Sequence, residues 1–186
     1  MVGNDPIYPY LLNGTNLAGG HLEVGHIDHP GTTVQSYAAV VIFIQHLLSG
    51  NLPLYQDVLS NPENYMYTCS IILVLLLGLV TYYTGKYIYR NTHELMAAIL
   101  FQLVPASTPV GIYNASLLMP EAFIIITATL YTAYLYINII AGCALPSHTL
   151  TGKKIIKMAV CSSFLIATKI TCLPFVLPVL FIIKKK

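Results

Sequence analysis

Four long apolar runs leave this chain few ways to fold. They occupy residues 66–85, 95–112, 122–141 and 155–183, each near or above the ~18 residues that a bilayer-crossing helix requires. Hydrocarbon offers no water to peptide groups, so such runs must close their hydrogen bonds within themselves, as helices. Composition agrees, because the chain is 56% hydrophobic and 9% charged, whereas soluble domains carry about 25% charged residues. The expectation is an all-α membrane protein. Residues 1–65 form an extracytoplasmic loop with juxtamembrane helices, and residues 66–186 form a transmembrane helical region.

The distribution of charge gives that region a direction. Residues 1–85 hold Asp5, Glu23, Asp28, Asp57 and Glu63 but no Lys or Arg. Lys86 and Arg90 follow the first run, Lys153, Lys154 and Lys157 precede the last, and Lys184, Lys185 and Lys186 close the chain. Basic clusters stay on the cytoplasmic side. An integral, multi-pass protein is therefore expected, with the first 65 residues and the connection at 113–121 facing the periplasm, the extracellular space or a lumen. The opening "MVGNDPIYPYLLNG" has neither the charged n-region nor the apolar h-region that would translocate such a segment. The sequence thus predicts a further transmembrane helix upstream and a truncated fragment, cut at both ends.

Within the outer segment, Pro6, Pro9, Pro30, Pro53 and Pro62 allow only short elements. Residues 34–48, "VQSYAAVVIFIQHLL", suit a helix lying in the outer interface; a short span is the competing reading. Tyrosines at the run ends (Tyr65, Tyr67, Tyr82, Tyr83, Tyr87, Tyr89 and Tyr113) read as headgroup anchors. Cys69, Cys143, Cys161 and Cys172 show no paired spacing and read as small packing residues. Sequons at Asn13 and Asn114 fall on the expected outer face. The last run has lysines at both ends and a polar break at Thr168-Lys169. A re-entrant hairpin with Lys169 near its tip and a single straight span both remain open for 155–183.

Ionisable groups at membrane depth are functional candidates by default. Lys169 is one, suited to a lipid phosphate or, alternatively, to snorkelling or pairing with a carboxylate. Glu121 follows Pro120, which favours a first helical turn, where a carboxylate also gains from the helix dipole. His21, His26, His29, Glu23 and Asp28 offer ligands suited to a divalent metal, although their spacing matches no compact metal motif. No phosphate-binding glycine loop, nucleophile elbow or basic nucleic-acid surface is present, so nucleic acid is not an expected partner.

The order of these features resembles the polytopic GT-C glycosyltransferases, in the protein O-mannosyltransferase and aminoarabinose-transferase-like branch. "NDPIYPYLLNGTNLAGGH" is similar to that family's first outer loop, with Asp5 as its acid. His29-Pro30-Gly31 precedes a juxtamembrane helix, Met119-Pro120-Glu121 resembles a later Pro-acid pair, and Thr168-Lys169 resembles a Thr-Lys step between short helices. The acid is single where many members carry a pair, and several later helices of the family are absent. The resemblance implies a GT-C-like transmembrane helix bundle that transfers a sugar from a polyprenyl-phosphate donor to an acceptor hydroxyl at the outer membrane face. It implies Asp5 as the catalytic base, with His29, Glu121 and Lys169 in substrate binding, and membrane lipid as a partner. A non-catalytic module that holds a lipid carrier is the alternative. A small transporter would place ionisable groups deep in several spans, and most lie at span ends here.

Overall fold

The computed structural model describes residues 7–23, 25, 32–107, 113, 117–141, 152–169 and 172–173. Among the described residues it is all-helical, without a strand. The α-helices are α1 (Ile7–Ala18), α2 (Thr32–Ser49), α3 (Leu54–Ser60), α4 (Pro62–Thr92), α5 (Leu95–Leu103), α6 (Pro120–Leu135) and α7 (Gly152–Thr168). A 3-10 turn, Val104–Ala106, follows α5, and π-helical turns, Tyr136–Ala141, extend α6.

Local chemistry explains the boundaries. Pro9 lies in the first turn of α1, where the missing N–H would have had no helical acceptor. Gly20, at φ 83°, ends α1: Gly20 N–H donates to Leu17 O at 3.0 Å and His21 N–H to Asn16 O at 2.9 Å, the paired bonds of a Schellman stop. Pro62 and Pro120 occupy the first turns of α4 and α6, with Glu63 and Glu121 beside them, where the proline ring is preorganised and the carboxylate meets the positive helix end.

Among the described residues two helices are long and apolar enough to cross a membrane, Pro62–Thr92 and the helical stretch Pro120–Asn138; a third is counted if the α2 and α3 pair, bent by 95°, acts as one broken span. Only 17% of the most apolar window of α4 is buried in the protein, against 44% for α6. Ile71, Val74, Leu75 and Leu79 of α4 point outward, as a lipid-facing helix requires. The apolar run from residue 95 forms a shorter helix ending in the 3-10 turn at Pro105, and 108–112 lie outside the described residues. The second arm of the anticipated hairpin, 174–183, lies outside them as well.

Helices α1, α2 and α3 do not stand apart from α4 and α6. Tyr10 and Leu11 of α1, Val34, Ala38 and Ile42 of α2, Val58 of α3, Cys69 and Leu73 of α4, and Ala122 and Phe123 of α6 share one buried cluster. The buried residues of α2 recur at helical spacing, while Phe43, Ile44, Leu47 and Leu48 on its other side are exposed. Apolar residues thus lie on both faces of α2, one packed into the core and the other exposed. Cys69 and Cys172 are buried packing residues without disulfides, and Tyr131 is buried against α7.

The Asn13 sequon lies inside α1, where Asn13 is 4% exposed and its Oδ1 accepts from Gly25 N–H at 3.1 Å. One reading changes. Tyr65 is 3% exposed and works as a core hydrogen-bond donor more than as a headgroup anchor.

At the crossing of α1 and α2, a Cβ on Gly14 would stand 2.6 Å from Ala38 Cβ and 3.2 Å from Ala38 C. No side chain fits without separating the helices. Gly14→Val is expected to destabilise the protein by roughly 1–3 kcal/mol, read as a lowered melting temperature in detergent, with partial recovery when Ala38→Gly is added.

The bend between α2 and α3 is held by side chains. His46 Nδ1 lies 2.9 Å from Asp57 Oδ2, and Tyr65 OH donates to the same oxygen at 2.5 Å. Gly50 permits the approach, because a Cβ there would meet the His46 ring at 2.2 Å. The Tyr65 hydrogen bond first, then the His46 bond, hold the Asp57 carboxyl below its ordinary 3.8. A depressed carboxyl stabilises the fold above its unfolded value and loses that contribution as pH falls through the folded one. Acidification below about pH 3.8 is therefore expected to raise hydrogen exchange over residues 50–62, and Asp57→Ala to raise it at neutral pH.

Candidate functional site

Three separate parts of the chain meet where α6 begins. Glu121 is in the first turn of α6, Lys169 follows the last residue of α7, and Tyr10 comes from α1. Lys169 Nζ donates to Glu121 Oε1 at 2.6 Å, with 24% and 29% of the two side chains exposed. This bond spans 48 residues of sequence. It makes α6 and α7 antiparallel neighbours, since the start of one helix meets the end of the other.

Each group is placed by its backbone. Lys169 N–H still donates to Leu165 O at 3.1 Å and Cys172 N–H to Lys169 O at 2.9 Å, so one tight turn carries the lysine out of α7 and tucks Cys172 back into the packing against Tyr131, Met158 and Leu165. Thr168 is buried, its Oγ1 donating to Phe164 O at 2.9 Å. Its hydroxyl closes the helix end.

The pair is incomplete in a useful way. Glu121 Oε2 is shielded from solvent and has no hydrogen-bond partner among the described residues. Lys169 carries three N–H donors, and Glu121 accepts one. A half-shielded site thus offers one spare carboxylate acceptor and spare cationic donors side by side, where reduced solvation strengthens both. The nearby Tyr10 phenol is pushed above its ordinary value, by burial first and by the Glu121 charge second, so it remains a neutral hydroxyl at physiological pH.

An apolar groove of about 620 Å³ is lined by Ile7 of α1, Glu63, Met66, Ile71 and Val74 of α4, and Leu117 and Leu118; Tyr10, Glu121 and Lys169 are not among its lining residues. Leu118 is separated from Glu121 by only Met119 and Pro120. Ile7 stands one helical turn from Tyr10. The groove and the cluster around the ion pair thus draw on neighbouring positions of α1 and of residues 117–121, while Lys169 comes from the end of α7 and most of the groove from α4.

Of the four residues singled out from sequence, Glu121 and Lys169 are brought into contact. Asp5 and His29 lie outside the described residues, as do His26 and Asp28 of the group that offered possible metal ligands. His21 and Glu23 are exposed, and no group of three metal-ligating side chains occurs among the described residues. Tyr10 escaped the sequence reading. Its only signal was its position one turn after "NDPI", in a segment that reads as a turn. No family model matches the chain, and no significant match was found to a curated protein or to a solved structure.

Proposed function

We propose that this protein belongs to a multi-pass membrane glycosyltransferase of GT-C-like architecture, moving a sugar from a polyprenyl-phosphate donor to an acceptor hydroxyl at the outer membrane face. The observation that carries this reading is the Glu121–Lys169 pair, with its spare carboxylate oxygen, a few residues along the chain from the Leu117–Leu118 wall of an apolar groove. A lipid-linked sugar is a molecule of that shape: an apolar chain, an anionic phosphate and a polyhydroxylated head.

In this reading the carrier chain lies in the groove, and the spare donors of Lys169 hold a phosphate oxygen. As the sugar's anomeric carbon is attacked, charge accumulates on the departing lipid phosphate, and a fixed cation stabilises it more than it stabilises the ground state. Glu121 Oε2 accepts a hydrogen bond from a sugar hydroxyl. Asp5 accepts the proton of the acceptor hydroxyl, and His29 shapes the acceptor side. Attack from the face opposite the phosphate inverts the anomeric centre.

Membranes containing the protein, incubated with polyprenyl-phosphate sugars labelled in the sugar, should release label from the organic phase into a new glycoside. Retention of labelled donor without any glycoside would instead identify a carrier-holding module. Neither retention nor transfer with any donor would sink both readings.

A further inference from the structure

The far end of α4 carries a second hollow, of about 620 Å³, unrelated to the sugar chemistry and lined by Tyr83, Lys86, Tyr87, Arg90 and Asn91. Their spacing puts all five on one helical face. We propose that this hollow binds the phosphate headgroup of an anionic glycerophospholipid, with Lys86 and Arg90 as its cationic clamp.

Depth along α4 comes first. Residues 66–85 are the apolar part of the helix, and twenty residues at ~1.5 Å each span ~30 Å, the thickness of a bilayer's hydrocarbon core. With α4 crossing a bilayer, Lys86 is the first residue beyond hydrocarbon and Arg90 stands one turn further out, at phosphate level. Tyr83 and Tyr87 sit at the same boundary, where amphipathic rings belong.

The cations also lack a counterion. Neither Lys86 nor Arg90 has a carboxylate within salt-bridge distance among the described residues; both ion pairs found lie elsewhere. The closest carboxylate in sequence, Glu94, is occupied by Tyr136 OH, which donates to its Oε2 at 2.6 Å. Lys86 instead rests 6.0 Å from the Tyr82 ring centroid. Two like charges four residues apart repel across one helix face, and an anion between them removes that repulsion. Asn91 Nδ2 donates to Tyr87 O at 2.7 Å, which leaves its side-chain oxygen to accept from a glycerol hydroxyl.

The flank of the hollow selects a lipid over a soluble phosphate. Exposed Leu75, Leu76, Leu79 and Tyr83 run along α4 from this site into the hydrocarbon, a track on which the lipid's acyl chains can lie while its phosphate is clamped. Arg90 supplies a bidentate fork for phosphate oxygens, and Lys86 a point charge.

Native mass spectrometry of the full chain, released from phosphatidylcholine membranes with or without one-fifth phosphatidylglycerol, tests this directly. The wild type and a K86R/R90K variant should retain phosphatidylglycerol in preference to phosphatidylcholine. K86Q/R90Q should bind it roughly 30-fold more weakly, from about 1 kcal/mol per basic residue at a membrane surface, with unchanged helicity by circular dichroism. Retention by the wild type should fall as salt is raised, a readout that holds even if the glutamine variant misfolds. Equal retention by folded K86Q/R90Q, no preference over phosphatidylcholine, salt-independent retention, or full displacement by inorganic phosphate would each overturn the proposal. Sugar transfer plays no part in these readouts, so loss of the transferase reading leaves them interpretable.

Discussion

Replacing Lys169 with methionine is expected to slow sugar transfer by about 10²–10³-fold, the usual consequence of deleting one donor aimed at a developing oxyanion. Arginine at the same position should restore part of that loss, since it keeps the charge while changing the fork. The substitution has a structural side as well. It strands Glu121, one of whose oxygens already lacks a partner, and an unpaired, partly shielded carboxylate costs roughly 1–3 kcal/mol. The double variant E121Q/K169M removes both charges together, so its melting temperature should return towards that of the wild type while transfer stays low. A purely structural ion pair would behave differently, with activity and stability recovering together.

Asp5→Asn carries the larger chemical penalty. Asparagine keeps the size of the side chain and can still accept a hydrogen bond, but it cannot take a proton from an acceptor hydroxyl. Loss of a general base costs about 10²–10⁴-fold, and donor retention should be unchanged, because the proposed mechanism assigns the carrier to the groove and Lys169. A fall in turnover at constant donor affinity is therefore the expected signature. Transfer at the wild-type rate would remove Asp5 from the mechanism, and loss of donor retention would reassign it to binding.

The parts of this fold that sequence reveals are those governed by local rules. The long helix α4 follows from its apolar run and from Pro62 at its start, and α6 follows from Pro120-Glu121, which set both the boundary and the position of the acid. Pairing of Lys169 with a carboxylate was one of the readings of that residue and is what the structure shows, but that Glu121 is the partner was not legible. Each residue drew attention alone, as an ionisable group near apolar chain, but 48 residues separate them and no periodicity encodes an antiparallel packing of two helices. The His46, Asp57 and Tyr65 clamp was missed for a related reason: it exists only after the chain turns by 95° at Gly50. The burial of Asn13 was not legible either, because a sequon is a three-residue pattern and its Gly25 partner lies twelve residues along the chain.

Burial also explains how one cluster could be both scaffold and site. The wall behind the ion pair is the core that joins α1, α2, α4 and α6, so the groups that position Tyr10 and Glu121 are the ones that hold the helices together. A site built on packed helices keeps its geometry within the tolerance that transfer chemistry demands.

Sidedness decides between this mechanism and any other, because a lipid-linked sugar presented outside the cytoplasm can meet only groups on that face. An epitope tag placed near Asp5 and challenged with a membrane-impermeant protease or antibody in intact cells measures it in one step. The tag should be reached without lysis, while a tag in the 142–151 connection should be reached only after the cells are opened. A tag near Asp5 that stays protected until lysis would contradict the transferase mechanism outright.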